Sequence, residues 1–338
     1  METTKLRDVP IPVSRVGLGT WAMGGFQWGG TDDDRSVRTI HAAIDRGITL
    51  IDTAPAYGFG HSEEVVGRAI AEKGNRDRVV IATKVGLERY GDGLYRNSTR
   101  EQIAIEIEDS LRRLKTDYID LYQVHWPDPR TPYEETAKAL LDLQRAGKIR
   151  AIGVSNYSTE AMEAFGDVAT LSTAQPPLNL FERESQEEIL PWCRKHDVGT
   201  LTYGALCRGL LSGAIDENRK FEGDDLRKVD PKFQPPRFAQ YLEAVRVLQA
   251  YARGRYQKSV LALAVRWVLD QPGVSVALWG AREEHELDPV EEIMGWKLDP
   301  AGLKSIDVII ANSVTDPVGS EFMAPPEHAP TEQPSVQA

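Results

Sequence analysis

From about residue 16 to about residue 312 the chain alternates short apolar runs with longer stretches whose apolar residues recur at helical spacing. An apolar run of about four to eight residues reads as a strand and a period of about 3.6 residues as a helix lying on a core, so the rhythm is that of repeated βα units. Eight runs fit strands: Arg15–Gly19, Thr49–Asp52, Val79–Lys84, Ile119–His125, Ile149–Ser155, Ser172–Gln175, Thr200–Tyr203 and Val274–Trp279. Helices are predicted between them, among others at Arg35–Asp45, Glu63–Ala71, Thr99–Leu114, Pro132–Ala146 and Lys258–Asp270, many opened by Ser, Thr, Asp or Pro and closed near Gly. Repetition with no break in composition favours one closed α/β barrel, a (β/α)8 TIM barrel. The whole of residues 1–338 then reads as a single domain, with a core over about 10–312 and an extended C-terminal tail over 313–338 that is rich in Pro, Glu and Ser. Lys5–Ser14, interrupted by Pro10 and Pro12, is expected to form a hairpin covering the barrel floor. Leu206–Pro236 is too long for an ordinary βα loop and is expected to be an excursion over the active face or a mobile lid.

Barrel enzymes carry their chemistry at the C-terminal ends of the strands. Here successive strands end in Asp52, Lys84, His125, Ser155-Asn156, Gln175 and Tyr203. One polar residue at a strand end is ordinarily a helix cap or a turn former. Lys, His, Gln and Tyr are not preferred caps, so a converging set of this composition points to a site. Gly17-Leu18-Gly19-Thr20-Trp21-Ala22 formally fits the dinucleotide fingerprint G-x-G-x-x-G/A, but that fingerprint needs a helix opening at the turn. The glycine-rich run Trp21 to Gly30 precedes the first cap, at Asp33 or Asp34, and reads instead as the first βα loop. Its glycines let backbone approach a ligand, and Trp21, Phe26 and Trp28 are candidates to wall a pocket together with Trp126.

These residues resemble the aldo-keto reductase family. The resemblance lies in Asp52-Thr-Ala-Pro-Ala-Tyr57-Gly followed by Ser62-Glu63-Glu64-Val65-Val66-Gly67, in Lys84 after Ile81-Ala82-Thr83, and in His125 after Asp120-Leu121-Tyr122-Gln123-Val124. It continues through Gly153-Val154-Ser155-Asn156, Gln175, Tyr203 and Gly209-Leu-Leu-Ser-Gly213, and spans about residues 10 to 310. Within the family the chain looks most like bacterial reductases of short polyol-type aldehydes such as glyceraldehyde.

The resemblance implies carbonyl reduction by Asp52, Tyr57, Lys84 and His125, and a substrate pocket of Trp21, Trp28, Tyr57, His125 and Trp126. Ser155, Asn156 and Gln175 would hold the nicotinamide amide, with Tyr203 stacked on the ring. Further cofactor contacts are expected from Gly19, Thr20, Trp21, Asp52, Leu206, Arg208, Gly280, Arg282 and Glu286. The residue chemistry agrees. A phenol with a pKa of about 10 is a sluggish acid near neutrality, so Tyr57 needs the Lys84 cation to lower its pKa, and Asp52 to keep Lys84 charged. His125 is placed to orient the carbonyl oxygen. Gly280-Ala281-Arg282 offers loop amides and a guanidinium to the 2′-phosphate that distinguishes NADP(H), which is therefore expected over NAD(H), although Glu283, Glu284 and Glu286 follow at once.

A net charge of −11 and a pI near 5.2 disfavour nucleic acid and anionic membranes as partners, leaving a small-molecule carbonyl substrate. The opening residues lack an apolar signal core, no run approaches the roughly 18 apolar residues of a membrane span, and Cys193 and Cys207 make neither a disulfide framework nor a metal spacing. The expected location is the cytoplasm, with no metal. Two other classes fit parts of the pattern: a regulatory subunit that binds nucleotide on the same barrel, and a barrel hydrolase or lyase using Asp52 and Lys84, the latter as a Schiff-base amine.

Overall fold

The computed structural model describes residues 1–327. In chain order its elements are β1 (Thr3–Thr4), β2 (Val13–Ser14), β3 (Val16–Gly19), α1 (Asp33–Asp45), β4 (Leu50–Asp52), α2 (His61–Lys73), β5 (Val80–Val85), β6 (Leu87–Tyr90), β7 (Gly93–Arg96), α3 (Arg100–Leu114) and β8 (Ile119–Val124). They continue as α4 (Tyr133–Arg145), β9 (Ile149–Ser155), α5 (Thr159–Gly166), β10 (Thr173–Gln175), α6 (Ile189–Lys195), β11 (Gly199–Thr202), α7 (Arg237–Tyr256), α8 (Val260–Leu269), β12 (Val276–Gly280), α9 (Val290–Ile293) and α10 (Pro300–Ser313). Eight parallel strands close in the order β3-β4-β5-β8-β9-β10-β11-β12, and β12 returns to β3 with Ala277 opposite Val16 and Gly280 opposite Gly19. The eight runs read as strands are these eight, with ends moved by at most two residues.

Side-chain alternation explains why the strands end as they do. Successive residues of a strand point to opposite faces. Leu50, Val80, Ala82, Leu121, Ala151, Leu201, Val276 and Leu278 form one apolar cluster inside the ring, while Ile51, Ile81 and Ile152 face the surrounding helices. Continuing the inward parity upward gives Asp52, Lys84, Gln123 and then His125, and Ser155, so the polar residues form a layer above the apolar plug. Helix starts follow their caps: Asp32 accepts the Arg35 N–H, Thr99 that of Gln102, Ser259 that of Ala262 and Asp299 that of Gly302.

The floor is covered, but not by a hairpin over Lys5–Ser14. Pairing is confined to β1 and β2, with Thr3 opposite Ser14 and Thr4 opposite Val13. Pro10 and Pro12 have no N–H to give a ladder, so the intervening chain loops and seats Leu6, Val9 and Ile11 on the interior cluster.

Leu206–Pro236 lies over the active face as an excursion with three short 3₁₀ turns, at Cys207–Ser212, Leu226–Lys228 and Pro231–Phe233. It is tied down by a buried ionic cluster: Glu182 accepts from Arg208 at 2.6 Å and from Lys232 at 2.8 Å, and Arg208 reaches Asp230 at 2.5 Å. The tail does more than lie over the surface. Lys232 Nζ donates to the Gly319 carbonyl at 2.6 Å and Arg96 Nε to that of Pro325 at 3.1 Å, drawing Phe322 to Pro326 across the mouth of the barrel. The part of the expected tail beyond residue 327 lies outside the described residues. Among those residues no helix is long and apolar enough to cross a membrane.

Candidate active site

A cavity of about 560 Å³ opens at the C-terminal ends of the barrel strands. Its wall includes Gly19, Trp21, Trp28, Asp52, Tyr57, His125, Trp126, Ser155, Asn156, Tyr203, Leu206, Arg208, Gly280, Arg282 and Glu286, all named as site candidates from the sequence, and also Phe26. Three candidates stand behind the wall. Lys84 is fully buried; Thr20 gives its hydroxyl to the Asp52 carbonyl at 3.0 Å and lies 2.7 Å from Ser62 Oγ; Gln175 Nε2 donates to Asp52 Oδ1 at 2.8 Å. Thr20 and Gln175 were expected to touch a cofactor. Their side chains satisfy the backbone carbonyl and the carboxylate of Asp52, whose buried oxygens need donors.

The acid–base set is assembled by three strands and one turn. Lys84 Nζ donates to Asp52 Oδ2 at 2.6 Å, to the Thr53 carbonyl at 3.0 Å and to the Tyr57 phenol oxygen at 3.1 Å. With its oxygen accepting from Lys84, Tyr57 keeps its own O–H proton available to the cavity. The His125 ring stands edge-on to that of Tyr57, with centroids 5.8 Å apart.

Burial works against the Lys84 cation, but the Asp52 charge and the Tyr57 oxygen outweigh it and hold its pKa above the ordinary lysine value. For Tyr57 the balance goes the other way. Burial pushes the phenol up more than Lys84 pulls it down, so its pKa lies above 10 and not below, as the sequence led one to expect. Burial, reinforced by Lys84, keeps the His125 imidazolium well out of the neutral range, so the ring is neutral and can donate one N–H.

Tyr57 is fixed by a crossing of two glycines. A Cβ on Gly58, where φ is +68°, would lie 2.1 Å from the Gly24 carbonyl oxygen, and one on Gly24 would lie 2.5 Å from the carbonyl carbon of Tyr57. Neither contact is sterically possible, so Gly58→Ala must shift the Tyr57 backbone. A displacement of about 1 Å at a reacting group costs on the order of 100-fold in rate. We expect a loss of that order in kcat/KM with cooperative thermal unfolding retained; an unchanged kcat/KM would show that the crossing does not position Tyr57.

On the opposite side of the cavity, Asn156 sits at φ +60°, a left-handed conformation that Asn tolerates better than most residues. Its amide accepts the Tyr203 O–H at 2.8 Å and donates to the His125 carbonyl at 3.0 Å, linking three strand ends. Ser155 Oγ donates to the Gln175 carbonyl at 2.9 Å. The glycine-rich first loop contains only a 3₁₀ turn at Trp21–Gly24 before α1 opens at Asp33, so the apparent dinucleotide fingerprint has no helix to serve.

At the last strand the expected phosphate contacts are already engaged. The Arg282 guanidinium donates to the carbonyls of Trp28, at 3.0 Å, and Gly30, while its backbone N–H is accepted by Glu286 at 2.6 Å. Arg208 lines the cavity but is neutralised by Glu182 and Asp230.

The residues fit a flat polar ligand beside a carbonyl. The Trp28 indole N–H, on the cavity wall, is buried with no hydrogen-bond partner among the described residues, and the donor set of Tyr57 and His125 suits an oxygen gaining negative charge. Ser62 and Gln123 stand in the motifs that carry the resemblance but were given no role, and Glu182, Lys232 and the Phe322–Pro326 wall were not foreseen. The inward parity of Gln123, two residues before His125, was a readable signal of its place in the site.

Comparison with known proteins agrees with this geometry. A model of the aldo/keto reductase family matches residues 15–311. The chain is 59% identical over 326 residues to aldo-keto reductase YhdN of Bacillus subtilis (strain 168), covering 96% of this chain and 98% of that protein. It is 37% identical to an NADH-specific methylglyoxal reductase of Escherichia coli (strain K12), covering 83% and 90%. The solved structure of the glycerol dehydrogenase AKR11B4 from Gluconobacter oxydans superposes with a TM-score of 0.86 at 52% identity, covering 95% of this chain and 99% of that one. A closed barrel, a buried lysine–carboxylate pair beside a tyrosine, and relatives that match nearly end to end thus converge: the chain belongs to the aldo/keto reductase family and is an NAD(P)H-dependent oxidoreductase.

Proposed function

We propose that the protein reduces a small aldehyde or ketone to the alcohol, with Tyr57 as the proton donor. The observation that carries this reading is the chain of contacts from Asp52 through Lys84 to the Tyr57 oxygen, at 2.6 and 3.1 Å, on the wall that Tyr57 shares with His125. When bound, a reduced nicotinamide nucleotide supplies the hydride that adds to the carbonyl carbon. His125, neutral, gives an N–H to the carbonyl oxygen and fixes its position. Tyr57 transfers its O–H proton to that oxygen, and the phenolate left behind is stabilised by the Lys84 ammonium, itself held by Asp52. Alcohol or polyol oxidation runs the same transfers backward. Ser155, Asn156 and Tyr203, with Trp21 and Gly19, would hold the nicotinamide portion of the cofactor.

Short hydroxyaldehydes such as glyceraldehyde are the substrates this reading favours. The tryptophan wall of Trp21, Trp28 and Trp126 encloses a compact group, and two relatives are named for three-carbon compounds, glycerol and methylglyoxal. The expected preference for NADPH rests on Arg282, whose guanidinium donates to the Trp28 and Gly30 carbonyls at the cavity wall, and either NADPH or NADH can supply the hydride. An acidic chain with two buried thiols suits the cytoplasm and a small-molecule partner, away from nucleic acid and membranes. A Schiff-base role is disfavoured because Lys84 is held protonated, and a purely regulatory subunit has no need of the complete acid–base set.

The test is consumption of NADPH and of NADH in the presence of glyceraldehyde, methylglyoxal and a panel of larger aldehydes. Turnover of a short aldehyde is expected. Binding of nucleotide with no turnover of any carbonyl would move the assignment to the regulatory role.

A further inference from the structure

Three pieces of chain far apart in sequence wall the cavity beside Tyr57. The β6–β7 hairpin contributes Leu87 and Leu94, the loop after β8 contributes Trp126, and the C-terminal segment contributes Met323 and Pro325. Leu87 belongs to a small apolar cluster with Ala54 and Ala56, and Tyr57, Leu94 and Trp126 pack against it. Arg96, the last residue of β7, touches all three pieces. Its Nε donates to the Pro325 carbonyl at 3.1 Å, its Nη1 to the Pro127 carbonyl at 3.2 Å and its backbone N–H to the Pro326 carbonyl at 3.3 Å. Its guanidinium carbon also stands 5.4 Å from the centroid of the Trp126 ring.

The residue types explain why one side chain does this. Pro325 and Pro326 have no N–H, so the segment cannot add itself to the hairpin as a further strand and depends on donors from the other side. A guanidinium carries five N–H groups in a rigid fork, enough to hold carbonyls from two different loops. Its carboxylate neighbour Glu327, 4.0 Å away and 53% exposed, adds little. At the far end of the segment Lys232 donates to the Gly319 carbonyl at 2.6 Å, and the Tyr241 hydroxyl accepts the Val318 N–H at 3.3 Å. Between these anchors lies the 3₁₀ turn Glu321–Met323, where the Met323 N–H goes to the Ser320 carbonyl and that of Ala324 to Glu321. The wall is thus hung between two cations, and only the Lys232 end belongs to the buried ionic cluster.

We propose that Arg96 is a positioning residue for the substrate: it holds the C-terminal segment and Trp126 against the hairpin, and the chamber so closed limits the size of the group attached to the carbonyl. The proposal rests on the reading that the cavity takes a carbonyl compound. A closed wall brings apolar surface against a short substrate and leaves no room for a long one. A released wall weakens the first and admits the second. Neither change touches the contacts among Asp52, Lys84 and Tyr57, so the chemical step is retained.

The test compares the wild type with Arg96→Met, which keeps the apolar stem and removes every side-chain donor, and with Arg96→Lys, which keeps the charge but not the fork. A hydrogen bond from a charged donor changes an equilibrium by roughly tenfold or more. Arg96→Met is therefore expected to raise KM for glyceraldehyde and methylglyoxal about tenfold, with kcat and the dissociation constants of NADH and NADPH within about threefold. Its kcat/KM for 2-naphthaldehyde should rise about tenfold, and Arg96→Lys should fall between the two proteins. Chymotrypsin cleavage after Phe322, located by mass spectrometry, should be about tenfold faster in Arg96→Met. Phe322→Ala, a change to a half-buried ring, should by itself favour 2-naphthaldehyde, and it decides the matter if the Arg96 variants do not fold. Faster cleavage with unchanged selectivity between the aldehydes, unchanged cleavage, an equal loss of kcat for every aldehyde, or a Phe322→Ala protein of wild-type selectivity overturns the proposal. A wild type that turns over no aldehyde overturns instead the reading on which it rests.

Discussion

Replacing Tyr57 by phenylalanine is expected to lower carbonyl turnover by about 10³-fold, the contribution of a well-placed general acid, while nucleotide affinity and thermal stability stay near wild type. The change removes one oxygen from a half-buried ring and leaves the ring's contact with Trp21 in place. Lys84 keeps two of its three acceptors, Asp52 and the Thr53 carbonyl, so no buried charge is stranded. The proton, however, then has no donor within reach of the carbonyl oxygen except neutral His125. Steady-state turnover beside a binding titration checks this, and a loss of less than about tenfold in turnover would remove Tyr57 from the role. The wild-type pH profile carries the same information. Because burial raises the phenol above its ordinary pKa, the proton donor is fully protonated through neutrality, and reduction should show no loss from its deprotonation between neutral and mildly alkaline pH.

The second large effect is on stability. Glu182→Ala should cost roughly 3–5 kcal/mol, because among the described residues it leaves Arg208 with Asp230 alone and the buried Lys232 ammonium with no paired carboxylate. The Glu182 side chain is 1% exposed, and Asn179 Nδ2 adds a further donor at 2.6 Å. Burial raises the Glu182 pKa, but Arg208 and then Lys232 more than reverse this and hold it at about 2, against 4.5 unperturbed. A depressed carboxylate pKa contributes stability that is complete above the unfolded value and is lost as pH falls, here from about 4.5 towards 2. Denaturant melts at neutral pH and in this acid window should therefore show a wild type that weakens on acidification and a Glu182→Ala protein, already weak, whose response is smaller. Equal stability of the two at neutral pH would mean that the cluster does not anchor the excursion.

The barrel was legible because its signal is local. An apolar run, a cap and a glycine declare themselves within a few residues, and the inward parity of Asp52, Lys84, His125 and Ser155 needs only the alternation of a strand. Assigning Tyr57 needed more, since it lies on the turn after β4 and was placed by its resemblance to a family motif. What the sequence could not convey depends on partners far along the chain. Arg282 looks free in sequence but meets carbonyls more than 250 residues earlier, at Trp28 and Gly30. The Tyr57 pKa has the same origin: Lys84 alone would lower it, but burial in the completed fold raises it. The β6–β7 hairpin and the Phe322–Pro326 wall carry no periodicity long enough to be read.

The path of the C-terminal segment sets an order of events during synthesis. Every barrel strand and all four acid–base side chains precede residue 281, yet Phe322 to Pro326, which close one side of the cavity, are translated after them. A nascent chain can therefore complete its ring before its reaction chamber exists. Completion of the scaffold and completion of the chamber are separate steps in time, and a premature stop or a protease cut between residues 313 and 319 would uncouple them.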